Sequence, residues 1–278
     1  MTIDLSKLKD FKFFSENFFK IRTKNGEIKP FILNRAQLYI YEQLEKQKRE
    51  TGKVRAIILK GRQQGCSTFI QARFFHLTIT NRGIKTFILT HEAEATKNLF
   101  AMTKRYYENL PSGLCPKAVK DSSKELRFES LDSGYAVGTA GNKGAGRSQT
   151  IQLCHCSEVA FFPHAQEHAK GLLQAIGTQD GTEIIMESTA NGIGNYFHSV
   201  YKAAESGKSD FIAIFVPWFW QPEYTASAKD FIMTEGEQLL FKIYKDDGMT
   251  IEHLAWRRKK IYEFDKDFDV GLIQFEQE

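Results

Sequence analysis

The residues between Lys60 and Thr68 have the types and the spacing that bind phosphate groups. An apolar run stops at its last residue, and an amphipathic helix pattern starts after the segment Lys60-Gly61-Arg62-Gln63-Gln64-Gly65-Cys66-Ser67-Thr68. Glycines let the backbone fold around an oxyanion, and the first N–H groups of a helix attract it. On this segment alone, a plain strand-to-helix turn explains the glycines equally well.

The segment departs from the common phosphate-loop motif at one position. In G-x-x-x-x-G-K-[ST] the lysine directly follows the second glycine, and that place is taken here by Cys66. Ser67 occupies the place of the magnesium-binding hydroxyl, and Lys60 replaces the first glycine. We therefore expect Lys60 to reach the phosphates from the opposite end of the loop, with Arg62 as a second candidate. Cys66, uncharged at neutral pH, is expected to be a bystander.

A candidate general base follows a second apolar run, residues 150–156, which ends in Ser157-Glu158. In nucleotide hydrolases a buried strand ends in two carboxylates at the edge of the sheet, one for magnesium and one for the attacking water. Glu158 supplies the second carboxylate, whereas Ser157 offers only a hydroxyl in place of the first. An ordinary acidic residue at a strand end is the alternative.

Histidines and cysteines suggest metal chemistry more weakly. His164 and His168 fit H-x-x-E-H, the signature of inverted zinc peptidases, and on a helix they would share a face. Pro163 instead suits a solvent-facing helix start that needs no metal. Cys154 and Cys156 are too close for the usual structural zinc pair and are interpreted as reduced, buried thiols.

Composition excludes several classes of protein. The chain has 278 residues, a formal charge of +4 and four cysteines, too few for a disulfide framework. It has no apolar run that would span a bilayer and no signal-peptide pattern at the start. We therefore expect a soluble, intracellular protein with one large domain, and the charge alone names no partner.

The elements that would position these residues alternate between strand and helix, which predicts a mainly parallel central sheet covered on both faces. Strands are predicted at residues 56–60, 86–90, 125–128, 135–139, 150–156, 183–187 and 212–217. Helices are predicted at residues 67–80, 92–109, 165–173 and 194–206. From about residue 234 the pattern changes to charged helices, 235–245 and 251–264. We therefore expect an ATPase core over 1–233 and a small helical C-terminal appendage over 234–278.

At this point the sequence resembles the ATPase domain of the large terminase subunit of tailed phages. Four stretches carry the resemblance in the family's order: 30–37, ending in Gln37; 61–68, which is similar to its variant Walker A loop; 157–161, which is similar to Walker B; and 187–192, which is similar to its coupling motif. The resemblance implies a three-layer P-loop NTPase fold of the RecA/ASCE type. No single motif is specific, but four in register are.

The resemblance implies a role for each site residue. Gln37 would recognise adenine, and the nucleotide would also contact Gly61, Gln63, Gln64, Gly65, Cys66, Ser67 and Thr68. Glu158, Lys60 and Arg62 would be catalytic, and Arg147 would act as an arginine finger on a neighbouring subunit's nucleotide. Ser67 and Ser157 would lie at the magnesium, and the coupling residues would be Ser188, Thr189 and Asn191.

The function implied is ATP hydrolysis with Mg²⁺, driving double-stranded DNA into a procapsid. The implied partners are DNA, the portal protein, the small terminase subunit and further copies of the chain in a ring, in the host cytoplasm and transiently on the procapsid. Lys117, Lys120 and Lys124 are candidate phosphate contacts, although a solvated loop explains them as well. Because the family carries its nuclease after the ATPase domain, we expect no nuclease activity from this chain. A degenerate module that binds ATP without hydrolysing it, and a zinc peptidase, remain as alternatives.

Overall fold

The computed structural model describes residues 5–140 and 150–276. The strands are β1 (Lys20–Arg22), β2 (Ile28–Pro30), β3 (Val54–Lys60), β4 (Lys85–Thr90), β5 (Lys120–Asp121), β6 (Glu125–Phe128), β7 (Ser133–Thr139), β8 (Leu153–Ser157), β9 (Glu183–Ser188) and β10 (Ile212–Val216). The helices are α1 (Phe11–Phe18), α2 (Arg35–Thr51), α3 (Cys66–Thr80), α4 (Ala93–Glu108), α5 (Ala165–Ala175), α6 (Tyr196–Glu205), α7 (Glu235–Tyr244), α8 (Ile251–Phe264) and α9 (Phe268–Glu276).

Eight of these strands form one sheet in the order β10-β3-β9-β8-β4-β7-β6-β5. The six strands from β10 to β7 are parallel, and β6 and β5 extend the edge in antiparallel fashion. Because β9 and β8 lie between β3 and β4, the strands that follow each other in the chain are separated in the sheet. The carboxyl ends of β3, β9 and β8 consequently meet at one edge, where the order of strands leaves a crevice for a ligand.

Helices cover both faces of the sheet, and β3 shows why. Its side chains alternate, so that Val54, Ala56 and Ile58 pack in one core with α2, α3 and α4, while Ile57 and Leu59 pack in the other with α5 and α6. A strand buried on both faces reads as a continuous apolar run. The predicted three-layer α/β fold with a mainly parallel sheet is confirmed.

A buried ion pair fixes α3 at the end of the sheet away from the candidate site. Arg73 on α3 donates from Nε to Glu183 Oε2 at 2.7 Å and from Nη1 to Glu45 Oε1 at 2.6 Å. Lys48 on α2 adds a third contact, from Nζ to Glu183 Oε1 at 2.8 Å. Although burial opposes it, these cations hold the pKa of Glu183 below its usual value. The pair is thus a structural clasp between α2, α3 and β9.

The C-terminal helices pack through a small core of their own, formed by Phe219, Met249 and Leu254. Arg258 on α8 donates from Nε to Glu237 Oε1 on α7 at 2.9 Å, which ties the two helices together. The helices predicted at 235–245 and 251–264 are confirmed within one residue. In the part of the chain that the structure describes, no helix is both long and apolar enough to cross a bilayer.

The sequence pattern missed α1, α2 and α9, and it placed the start of β8 three residues early. The α2 start has a recognisable signal: Asn34 accepts from the Gln37 backbone N–H at 2.9 Å, and the Gln37 side chain accepts from the Asn34 N–H at 2.9 Å. This reciprocal pair is a capping box with glutamine at its third helical position.

Candidate functional site

The loop between β3 and α3 has the backbone shape of an anion-binding turn. Gly65 precedes α3 with a φ of +75°, and a Cβ there would lie 2.5 Å from Gln37 Nε2. Gln63 also has a positive φ, of 56°. No side chain caps the start of α3 among the residues described. The first N–H groups of this helix are therefore available to a ligand.

Side chains from outside the loop hold its carbonyl groups. Four consecutive carbonyl oxygens, those of residues 62–65, each accept a side-chain hydrogen bond. The donors are Tyr224 (3.0 Å), Gln221 (3.3 Å), Asn34 (3.1 Å) and Gln37 (2.9 Å), in the order of the carbonyls they reach. Gln64 is anchored in turn, because its Nε2 donates to the Pro217 carbonyl. Fixed carbonyl groups are what a loop needs if it is to bind an anion through its N–H groups.

This arrangement corrects the prediction for Gln37. Its side chain is 4% exposed, its Oε1 belongs to the capping box of α2, and its Nε2 donates to Gly65. Both ends of the amide are engaged inside the protein, so the side chain braces the loop rather than presenting an edge to adenine. Thr68 also leaves the predicted group, since its hydroxyl contacts Met102 Sδ on α4 at 3.8 Å.

Lys60 lies between two carboxylates that come from the neighbouring strands. Its Nζ is 2.6 Å from Glu158 Oε1 and 3.3 Å from Glu187 Oε2. Burial opposes the charge of the lysine, but Glu187 and Glu158 outweigh it and raise the pKa of Lys60 above its usual value. Lys60 is therefore a permanent cation at the carboxyl edge of the sheet, at the start of the loop.

Glu158 is held in place by the residues of the predicted coupling segment. It has a left-handed backbone, with a φ of 60°, directly after β8. Its Oε2 accepts from the Ser188 hydroxyl and from the Thr189 backbone N–H, each at 3.3 Å. Asn191 instead donates to the Ala160 carbonyl at 3.1 Å, fixing the turn that follows the glutamate. The segments at 157–161 and 187–192 therefore meet at one carboxylate.

Glu187, the carboxylate that sequence reasoning missed, lies under the loop. It is fully buried at the end of β9, and its Oε1 accepts from the Ser67 hydroxyl at 2.8 Å. The sequence signal is a lone glutamate after an apolar strand, Ile184-Ile185-Met186. Despite burial, which opposes ionisation, Lys60 holds the pKa of Glu187 well below its usual value. Glu187 is thus an anion beside the predicted magnesium-binding hydroxyl.

Cys66 is 2% exposed, and burial raises the pKa of its thiol to about 12. It is a neutral packing residue at this position, with no charge to offer a phosphate. The four cysteines are free thiols, and Cys154 and Cys156 are both buried with their sulfur atoms 3.9 Å apart.

Two cavities open on either side of the loop start, and Lys60, Arg62 and Gln63 line both. The first, of about 390 Å³, is also lined by Glu158, Thr189, His91 and Phe161. The second, of about 570 Å³, has an aromatic wall that includes Trp218, Tyr224 and Trp256 and a basic rim that includes Arg257 and Lys260. One end of the loop thus faces a polar chamber with a carboxylate, and the other faces an aromatic chamber.

The histidine pair does not form the predicted helical zinc motif. α5 begins at Ala165, so His164 is its N-cap residue, with a φ of 52°, and lies outside the helix. Over residues 5–140 and 150–276, no group of three or more His, Cys, Asp or Glu side chains is arranged to hold a metal ion. The candidate arginine finger, Arg147, lies outside the described residues.

Comparison with solved structures agrees with this architecture. The large terminase of bacteriophage HK97 aligns with a TM-score of 0.67 at 13% identity, over 98% of this chain and 54% of that one. The large terminase ATPase domain of Thermus phage P74-26 aligns with a TM-score of 0.54 at 16% identity, over 82% of this chain and 91% of that one. The large terminase of another thermophilic bacteriophage gives 0.52 at 12% identity, over 66% of this chain and 46% of that one. No family model matches the sequence.

The fold is therefore that of a three-layer nucleotide-hydrolase domain of the RecA/ASCE type. More narrowly, it is the fold of the large terminase ATPase domain of tailed phages, as the sequence resemblance predicted. The chain spans about half the length of the HK97 terminase that it matches.

Proposed function

We propose that this chain hydrolyses ATP at the edge formed by the ends of β3, β8 and β9. The observation that carries the proposal is the meeting of Lys60 and Glu158 at 2.6 Å, directly beside a loop whose carbonyl groups are fixed. A cation, a candidate base and free helix N–H groups are the parts that phosphoryl transfer to water requires.

The two cavities give the nucleotide an orientation. With the triphosphate lying over the loop, the γ phosphate enters the chamber that contains Glu158, and the base enters the aromatic chamber beside Trp256. This orientation replaces Gln37 with aromatic side chains as the base-binding group. Structures of the second thermophilic phage's large terminase, which has the same fold, have been solved with ADP and with ATP-gamma-S.

The side chains divide the chemistry among them. Glu158 orients and deprotonates the attacking water, while Lys60, Arg62 and the N–H groups of the loop neutralise the charge that develops on the phosphates. In the unliganded state Lys60 is paired with Glu158. A phosphate that takes over this lysine releases the carboxylate for the water.

Magnesium fits the residues present. The Ser67 hydroxyl and the adjacent carboxylate are hard oxygen donors, the kind that Mg²⁺ prefers. Ser67 would hold the ion together with the nucleotide phosphates, and when bound it would offset the charge on the β and γ oxygens.

For the whole machine, we propose that hydrolysis drives double-stranded DNA into a procapsid. The terminase fold and the resemblance over 30–37, 61–68, 157–161 and 187–192 support this. The portal protein, the small terminase subunit and a ring of copies are the proposed partners, and Arg147 is proposed to act on a neighbouring subunit's nucleotide. A ring explains why isolated chains would turn over slowly, because an arginine finger contributes ~10³ to 10⁵ in rate.

The test is phosphate release by the wild type and by Glu158→Gln, at high protein concentration with Mg²⁺ and with and without double-stranded DNA. We expect release by the wild type, stimulated by DNA, and its loss in Glu158→Gln, with ATP binding kept. The alternative, a module that only binds ATP, is favoured by Cys66 and Ser157 at positions where the motifs have lysine and aspartate. It predicts ATP binding without release in both proteins.

A further inference from the structure

The Walker B position of this chain lacks a carboxylate, and the structure places one on the next strand. Ser157 ends β8 where the motif has an aspartate, and its register partner on the parallel strand β9 is Glu187. Because β9 lies between β8 and β3, its end is nearer the phosphate loop than the end of β8.

We infer that Glu187 takes over the task of the missing aspartate and positions Ser67 and the magnesium ion that serves ATP. The inference rests on the proposed function and adds to it the residue that holds the metal site. Glu187 acts through the Ser67 hydroxyl and is therefore a positioning residue.

The contacts of Glu187 match this task on both of its oxygen atoms. Oε1 accepts the Ser67 hydroxyl at 2.8 Å, which sets the direction of that hydroxyl. Oε2 has no hydrogen-bond partner among the residues described and lies 3.3 Å from Lys60 Nζ. A fully buried carboxylate oxygen without a hydrogen bond is costly unless a cation compensates it. Mg²⁺ is a cation that this position suits, since Lys60 is claimed by the phosphates once the nucleotide is bound.

A chain of buried polar groups holds the carboxylate from below. His155 on β8 has its Nε2 3.3 Å from Glu187 Oε1, and its Nδ1 is 2.7 Å from Gln71 Nε2. The amide nitrogen can only donate, so Nδ1 accepts and the ring proton lies on Nε2, facing Glu187. Gln71 Oε1 accepts in turn from the hydroxyls of Tyr135 and Thr103. Supports of this kind orient groups at metal sites and raise their affinity.

A second buried glutamate on β9 provides the matched control. Glu183 is as buried as Glu187 but lies at the other end of the strand, in the ion pair with Arg73. A loss of stability common to both substitutions is therefore structural. A loss of metal binding confined to Glu187 belongs to the site.

The experiment measures Mn²⁺ binding by electron paramagnetic resonance in the presence of saturating ATP-gamma-S, so that turnover is not the readout. We expect Glu187→Gln to weaken Mn²⁺ binding about 10- to 100-fold, without weakening ATP-gamma-S binding in EDTA, and Glu183→Gln to leave Mn²⁺ binding unchanged. In the double variant S157D/E187Q, a carboxylate at the usual position is expected to recover part of the lost affinity.

Wild-type Mn²⁺ affinity in Glu187→Gln, or equal losses in the two glutamine variants, overturns the inference while the proposed function stands. A wild type that binds no ATP-gamma-S at all overturns both, so the two failures are distinguishable. Thermal unfolding of each variant, recorded alongside, identifies the fraction of folded protein to which the Mn²⁺ signal is normalised.

Discussion

Lys60 and Glu158 are 98 residues apart in the sequence, yet the Nζ of the lysine lies 2.6 Å from Oε1 of the glutamate. The contact joins the ends of β3 and β8 across the intervening β9. It also means that each residue occupies the other's functional group until a ligand arrives. A phosphate that attracts Lys60 frees Glu158 at the same moment, so nucleotide binding and activation of the base are coupled through one ion pair.

The first prediction concerns the displaced lysine. Lys60→Ala is expected to reduce ATP hydrolysis by at least about 100-fold, because it removes the cation that neutralises the transferring phosphate. Cys66→Ala is expected to retain most of the activity, because the buried thiol is neutral, with its pKa raised to about 12. Steady-state phosphate release compares the two variants.

The lysine also separates two carboxylates, so its removal leaves buried charge uncompensated and lowers stability. Lys60→Gln, which keeps most of the volume, and thermal unfolding of all variants control for this effect. Equal losses of activity in folded Lys60→Gln and Cys66→Ala would contradict the displaced lysine.

The second prediction concerns the coupling segment. The Ser188 hydroxyl donates to Glu158 Oε2 and accepts from the Ala160 N–H at 3.2 Å, so it fixes the candidate base from two sides. Ser188→Ala is expected to lower kcat about 10- to 100-fold, because a misplaced base is a poor one, with little change in the affinity for ATP-gamma-S.

Thr189 is the comparison for Ser188, since it holds Glu158 through its backbone N–H. Thr189→Ala keeps that bond and is expected to lower kcat less. A larger effect at Thr189 than at Ser188 would show that the hydroxyl contact to Glu158 is not what matters.

The third prediction concerns the aromatic chamber. Stacking of a base on an aromatic side chain contributes about 1–3 kcal/mol, so Trp256→Ala is expected to weaken ATP binding about 5- to 150-fold. Tripolyphosphate, which has no base, is expected to bind the variant and the wild type alike. Isothermal titration with the two ligands separates loss of the base contact from damage to the phosphate loop, and equal weakening for both would place the base elsewhere.

The meeting of Lys60 with Glu158 was predictable because each directly follows an apolar strand, and the carboxyl ends of parallel strands share an edge. Glu187 was not, because the contact depends on which strand lies between β3 and β8 and on its register, neither of which the local pattern determines. Gln37 was assigned to adenine because the capping box that engages it went unrecognised. Local hydrogen-bond signals and strand order therefore account for the errors at the site.

The last prediction concerns stability in acid. His76 on α3 is 2% exposed; its Nε2 donates to the Leu8 carbonyl at 2.8 Å, and its Nδ1 has no partner in the described ranges. Burial lowers the pKa of His76 to about 4, with Arg73 acting in the same direction. The unfolded chain, with an ordinary histidine pKa, therefore binds a proton between about pH 6.5 and 4 that the folded chain refuses, and stability falls as the pH falls through this window.

The size of this effect is on the order of 2 kcal/mol between pH 7 and pH 5. His76→Gln keeps a donor for Leu8 but cannot be protonated, so its free energy of unfolding is expected to be lower at pH 7 and to fall less steeply towards pH 5. Urea unfolding of both proteins at the two pH values measures the difference, to which carboxylates common to both contribute equally. If the two proteins lost the same free energy between pH 7 and pH 5, His76 would not be the group that the folded state keeps neutral.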